Sequence, residues 1–268
     1  MHIFVVPGSP KTGQATIQSL LEDPSDPIVT GVYRDLRKVP FEFKGHSRFR
    51  AIKGDVANVG SLNLNGADAV VTITPPQFSE PKPIMRAREM AANIKYAIGR
   101  ADGSPKRLVY VSSIGAQFEH GTGEIKTNHE AEQALIGAAP EVVFVRCAYF
   151  MENWATELET LKAEPPAFYS ALCPADYKVP MVSVRDIGRT CAAQSLAAGS
   201  PLNDNPYIFD LHGPGSYSTQ DVQKLFEKAI GKDVEVRLVQ NDQLESYFAP
   251  QSVERETLNL KVAGSTPA

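Results

Sequence analysis

The chain opens on a strand, a tight turn and a helix in consecutive residues, and this unit constrains what the rest can fold into. His2-Ile3-Phe4-Val5-Val6 is a short apolar run of the kind that becomes a buried strand. Pro7 to Gly13 carries turn residues, and Ile17, Leu20 and Leu21 fall on one face of a helix. Where such a unit begins a parallel sheet, the N–H groups at the helix start point at one spot, which the helix dipole makes attractive to a pyrophosphate. A dinucleotide is the expected guest, with Gly8, Ser9, Pro10, Lys11, Thr12 and Gly13 around its phosphates. The loop keeps only two glycines of the usual three, Gly8 and Gly13. A magnesium-nucleotide phosphate loop is excluded, because Gln14-Ala15 stands where a lysine and a hydroxyl residue must follow the second glycine.

The next strands bring further candidates to the same edge. Ile28–Tyr33 reads as a strand that ends at Arg34, followed by Asp35, Leu36, Arg37 and Lys38. This is where a dinucleotide fold meets the adenosine ribose: an acid suits the 2′-hydroxyl of NAD, an arginine the 2′-phosphate of NADP. Arg34, supported by Arg37 or Lys38, favours NADP, and Asp35 leaves room for NAD. A third strand, read over Phe49 to Asp55, brings Asp55 at its carboxyl end beside the adenine, with capping of the next short helix as its alternative role. Ala69–Thr74 is a buried strand stopped by Pro75-Pro76, a stiff corner that bares carbonyls next to the cofactor, with Gln77 and Phe78 at its mouth. After a helix with Ile84, Ala87, Ala91, Ile94 and Ile98 inward, Leu108–Ser113 delivers Ser112 and Ser113 to the edge where a reacting carbonyl is held. The helix over 126–135 can turn Asn128 or His129 into the groove, and Val142–Cys147 is the sixth strand. Strands alternating with helices in this way define a doubly wound α/β fold with a parallel sheet and ligands at the carboxyl ends of its strands.

Composition excludes several other classes. The 268 residues are 43% hydrophobic and 22% charged, enough for one large core, and a net charge of −4 with scattered Lys and Arg gives no basis for nucleic-acid binding. No apolar run approaches a membrane span and no leader is visible, so a cytoplasmic protein without membrane contact is expected. Cys147, Cys173 and Cys191 lack metal-ligand or CxxC spacing, and no metal is expected.

At this point the chain resembles the NmrA-like family, atypical members of the short-chain dehydrogenase superfamily. The resemblance rests on the strand leading to Lys11-Thr12-Gly13, on Thr72-Ile73-Thr74-Pro75-Pro76, Val111-Ser112-Ser113, His129-Glu130-Ala131-Glu132, Arg146 through Asn153, and Val182 through Gly188. It implies an NAD(P)-binding Rossmann fold with a small C-terminal substrate lobe, in a family of small-molecule reductases and redox-sensing regulators. Two departures stand out. The cofactor loop is one residue shorter than the family's and lacks the middle glycine, and none of the nine tyrosines has a lysine four residues later, so the usual Tyr–Lys proton donor is absent. Asn128 occupies the slot that atypical members fill with other groups, and His129, Ser113 and Lys126 are the remaining candidates for handling a proton.

The last third supplies the lobe. Two loops rich in rings, 165–169 and 173–177, precede a strand from Val179 and a helix from Asp186. Tyr207–Leu211 is a strand, Ser218-Thr219-Gln220-Asp221 starts a helix that Gly231 stops, Val234–Val239 alternates as an exposed strand, and a tail helix runs to about Phe248. Residues 1–152 are expected as the dinucleotide domain and 153–268 as the lobe, partly interleaved with the sheet. Phe150, Trp154, Phe168 and Tyr169 are expected to line an apolar pocket. The sequence thus reads as an NADP(H)-dependent oxidoreductase for a small, largely apolar molecule. The alternatives are an isomerase or cyclase that uses the cofactor weakly or, if the short loop has lost binding, not at all, and a cofactor-sensing regulator without turnover.

Overall fold

All neighbouring strands of the principal sheet run parallel, which requires a crossover between each pair. The computed structural model describes residues 1–75 and 80–244. In chain order the strands are β1 (His2–Val6), β2 (Ile28–Tyr33), β3 (Phe49–Lys53), β4 (Ala69–Ile73), β5 (Arg107–Ser113) and β6 (Glu141–Cys147). Three short strands outside this sheet, β7 (Tyr149–Phe150), β8 (Ala167–Ser170) and β9 (Val179–Val182), come before β10 (Tyr207–Leu211), which returns to it. The sheet order is β10-β6-β5-β4-β1-β2-β3. A parallel sheet covered on both faces needs strands that are apolar throughout. Ile3, Val5, Val6, Val70, Val71, Val109, Val143 and Val145 are accordingly without solvent exposure.

The helices are α1 (Lys11–Leu21), α2 (Pro83–Gly99), α3 (Lys126–Leu135), α4 (Val184–Leu196) and α5 (Thr219–Ile230). On one face of the sheet Phe4, Val6, Val70, Tyr110 and Phe144 pack with Met90 and Ile94 of α2 and Ala131 and Leu135 of α3. On the other, α1 lies against α4. They meet so closely at Gly188 that a Cβ there would sit 2.5 Å from the carbonyl carbon of Ala15. Cys191 of α4 bonds to Thr16 in this seam, and burial pushes its thiol up to about 12.

Contacts divide the chain into two units: Met1–Cys147 with Val184–Leu211, and Ala148–Ser183 with the chain from His212 onward. The first unit thus holds α4 and β10 as well as the chain up to Cys147. In the second unit, β7 and β9 pair in parallel and β9 pairs antiparallel with β11 (Ser216–Tyr217). There β12 (Glu235–Leu238) runs parallel to β8. The expected loop over 165–169 is thus partly a strand. α5 starts at the expected capping box, Ser218 with Asp221, and ends at Gly231 in the left-handed region at φ 70. The expected tail helix runs past 244, outside the described residues, as do Pro76, Gln77 and Phe78. Among the described residues no helix is long and apolar enough to cross a membrane, and no cluster of His, Cys, Asp or Glu could hold a metal ion.

Candidate functional site

β1 sits between β2 and β4, so the chain leaves its carboxyl end toward one side of the sheet while β3 returns to the other side as β4. Connections diverge at this switch point and leave a crevice at the strand ends. Pro7 to Pro10 form its floor, anchored by Gly8 N–H donating to Val32 O at 2.8 Å and by Gln14 Nε2 donating to Ser9 O at 2.7 Å. A Cβ on Gly13 would lie 2.7 Å from Pro7 O, so only glycine lets α1 approach β1 this closely.

The start of α1 is electrostatically unfinished. Pro10 stands at its N-cap with extended backbone and no capping side chain, and the first turn holds no acid. The first intrahelical bond is Gln14 N–H to Pro10 O, so the N–H groups of Lys11, Thr12 and Gly13 have no acceptor within the helix. Lys11 is exposed in that same turn, where a cation opposes the helix dipole. Unpaired donors, a lysine and a close-packed glycine together fit a pyrophosphate. The departures are Pro10, which has no N–H to offer where a glycine usually admits the ligand, and Tyr33. The Tyr33 ring lies where a Cβ on Gly8 would be, 2.8 Å from Cζ and 2.9 Å from Oη. Sequence reasoning missed Tyr33; the available signal was the pair Gly8 and Gly31, both of which lack the side chain its ring displaces.

At the end of β2, Arg34 is exposed and has no ion pair among the described residues. Arg37, expected to support it, instead grips Asp35, with Nε 2.9 Å from Oδ1 and Nη2 2.8 Å from Oδ2. This holds the Asp35 carboxyl down at about 2. The acid that suits NAD and one of the bases that suit NADP are thus paired with each other, with Arg34 and Lys38 outside the pair. Asp55 accepts from Ala57 N–H at 2.9 Å, the turn-capping alternative to a place beside adenine.

Across the crevice, β4, β5 and α3 converge on a buried phenol. Tyr110 Oη accepts from Thr74 Oγ1 at 3.1 Å and from Asn128 Nδ2 at 3.2 Å. Asn128, a catalytic candidate, is thereby tied to the core. Ser112 donates to Glu132 at 2.5 Å, and Arg146 clamps the same carboxylate at 3.0 and 2.7 Å, cross-linking β5, α3 and β6. Ser113 is half-buried and donates to Ile114 O at 3.1 Å. His129 Nδ1 lies 2.8 Å from Ala116 O. A carbonyl only accepts, so Nδ1 carries the hydrogen and Nε2 is the nitrogen left for a ligand. Lys126 opens α3 and is half-buried. β4 ends at Ile73, so Thr74, expected as the last residue of the strand, follows it together with Pro75.

The expected pocket rings need correction. In the second unit Phe168 is fully buried and Trp154 is 9% exposed, packed with Leu161, Met181, Val222 and Val234. Trp154, Phe168 and Phe226 stack edge to face. These rings are core, because a unit this small needs its large side chains to exclude water. Tyr169 is engaged by Arg237, which donates to its hydroxyl at 3.1 Å. Phe150 is half-buried.

Comparison with known proteins agrees with this geometry. The chain belongs to the NAD(P)H-binding family, whose model matches residues 8–194. Among solved structures it is similar to the NADPH-dependent quinone oxidoreductase of Escherichia coli in complex with NADPH, with 17% identity and a TM-score of 0.68 over 91% of this chain and 80% of that one. It is similar to the Citrobacter sp. triphenylmethane reductase complexed with NADP(H), with 14% identity and a TM-score of 0.70 over 94% and 83%. It is also similar to NmrA, a negative transcriptional regulator, with 14% identity and a TM-score of 0.66 over 89% and 74%. The resemblance to NmrA-like proteins therefore holds at the level of the fold, within the NAD(P)H-binding family. No curated protein matches the chain in sequence.

Proposed function

We propose that the protein is a cytoplasmic NADP(H)-dependent oxidoreductase acting on a small, largely apolar organic molecule. The observation that carries the reading is the uncapped start of α1, with Lys11 in its first turn and Gly13 pressed on Pro7. These groups bind the pyrophosphate, and Arg34, released from competition by the Asp35–Arg37 pair, takes the 2′-phosphate. The bound nicotinamide supplies or accepts a hydride. The Ser113 hydroxyl, on turning its hydrogen away from Ile114 O, donates to the substrate oxygen on which charge develops. His129 exchanges the proton of that oxygen at Nε2, while the Ala116 carbonyl keeps Nδ1–H in place. The reductases of similar fold, a quinone oxidoreductase and a triphenylmethane reductase, support an apolar substrate by analogy.

A second reading, a cofactor-sensing protein without turnover, draws on the commitment of Asn128 to Tyr110 and of Ser112 to Glu132, which leaves few polar groups for chemistry. An isomerase that uses the same crevice shares that support. Calorimetric titration of NADPH and NADH, followed by assay against quinones, separates the three. NADPH is expected to bind about ten- to a hundredfold more tightly than NADH, the contribution of a charge-assisted bond to the 2′-phosphate. Equal affinities overturn the NADP assignment, and failure to bind either removes the oxidoreductase and sensing readings together.

A further inference from the structure

Tyr33 is fully buried, and its hydroxyl has no hydrogen-bond partner among the described residues. A buried hydroxyl without a partner is uncommon in folded proteins, because its loss of water is left uncompensated. The ring overlies two glycines, Gly31, whose Cβ would meet Cε2 at 2.6 Å, and Gly8, with the Ile17 and Phe49 side chains beside Gly31. The hydroxyl oxygen lies 2.9 Å from where a Cβ on Gly8 would be, in the loop that leads into the uncapped start of α1. That loop is short of donors, because Pro10 has none. An orphan donor and a donor-poor anion cradle therefore meet at Gly8.

We propose that the Tyr33 hydroxyl is a direct ligand of the dinucleotide, donating to an oxygen of its adenosine-diphosphate half and replacing the N–H that Pro10 lacks. The inference rests on the proposed cofactor reading and goes beyond it by assigning a binding residue that the usual loop pattern does not contain. Burial, with Glu42 nearby, holds the phenol well above its ordinary range, so it is a donor throughout the neutral range. Because the hydroxyl is enclosed in the unliganded protein, contact with the dinucleotide requires the ring to turn toward Gly8, which presents no side chain on that side.

The test is Tyr33→Phe, which keeps the ring and removes only the hydroxyl. Melting temperature is measured first on the unliganded protein; it is expected unchanged or raised, because the variant sheds an unpaired buried group. A clear fall shows that the hydroxyl already has a partner and overturns the proposal. NADPH, ADP-ribose and nicotinamide mononucleotide are then titrated into both proteins. The variant is expected to bind NADPH and ADP-ribose about tenfold or more weakly, with the mononucleotide unaffected. Unchanged NADPH affinity in Tyr33→Phe overturns the proposal and leaves the cofactor reading standing. A loss confined to the mononucleotide overturns the assignment to the adenosine half. Absence of NADPH binding in the unmodified protein instead removes the cofactor reading, and this inference with it.

Discussion

Single residues at the head of the sheet decide whether α1 can present its N–H groups. Gly13 is the clearest case, since an added Cβ would press on the backbone oxygen of Pro7, which cannot rotate away as a side chain could. Gly13→Ala should cost about 1–3 kcal/mol of stability, as overpacked sites do, and should weaken NADPH binding as well. Chemical denaturation with calorimetry checks both; unchanged stability means that the helix slides freely on the strand. His2 carries a second consequence. It is partly buried, with Nε2 2.8 Å from Thr30 Oγ1, and burial followed by the charge of Arg50 lowers its pKa below 6.5. The unfolded chain then binds the proton more readily, so this contribution is present above pH 6.5 and is lost as pH falls from there through the folded value. His2→Gln should show a smaller drop in melting temperature between pH 7.5 and 5 than the unmodified protein. An equal drop assigns the acid sensitivity elsewhere.

At the scale of elements, the Ser112–Glu132–Arg146 cluster joins two strands to the helix that carries His129. Glu132 and Arg146 are 3% and 15% exposed at their side chains, so removing one partner leaves the other charged and poorly hydrated. Glu132→Gln should destabilise by about 3 kcal/mol, whereas replacing Glu132, Arg146 and Ser112 together by apolar residues should recover much of that. Urea denaturation of both variants checks it; additive losses mean that the three groups act separately. The same scale explains what could be read from residue order. The six strands and the helix over 126–135 were legible because buried parallel strands and amphipathic helices declare themselves in local periodicity. Ala167–Ser170 was not, because it is a strand only through its pairing with Glu235–Leu238, and no local pattern encodes a distant partner. Trp154 and Phe168 misled for the same reason, since a ring that fills a core and a ring that lines a pocket are the same letter until its neighbours are known. The cofactor loop was legible as a loop, but Tyr33 read only as a good strand residue. Its relation to Gly8 depends on a register between β1 and β2 that the sequence does not state.

For the whole molecule, the sheet unit is assembled from two separate stretches of chain. Gly188 of the later stretch is wedged against Ala15 of the earlier one, so Gly188→Ala should lower the melting temperature although it lies far along the chain from the cofactor loop. An unchanged melting temperature shows that the two helices are not bound to that spacing. The later stretch also supplies β10, which pairs with β6 from Tyr207 against Val143 to Leu211 against Cys147. During synthesis β6 leaves the ribosome well before residues 207–211 exist. Until then it shows an open hydrogen-bonding rim beside the run Val142-Val143-Phe144-Val145, the kind of edge on which nascent chains stick to one another. A chain stopped after residue 183 should therefore aggregate in cells where the full chain accumulates as soluble protein. The rim closes only when β10 pairs with β6, so the time that translation takes to cover the intervening residues sets the interval in which this edge stays open.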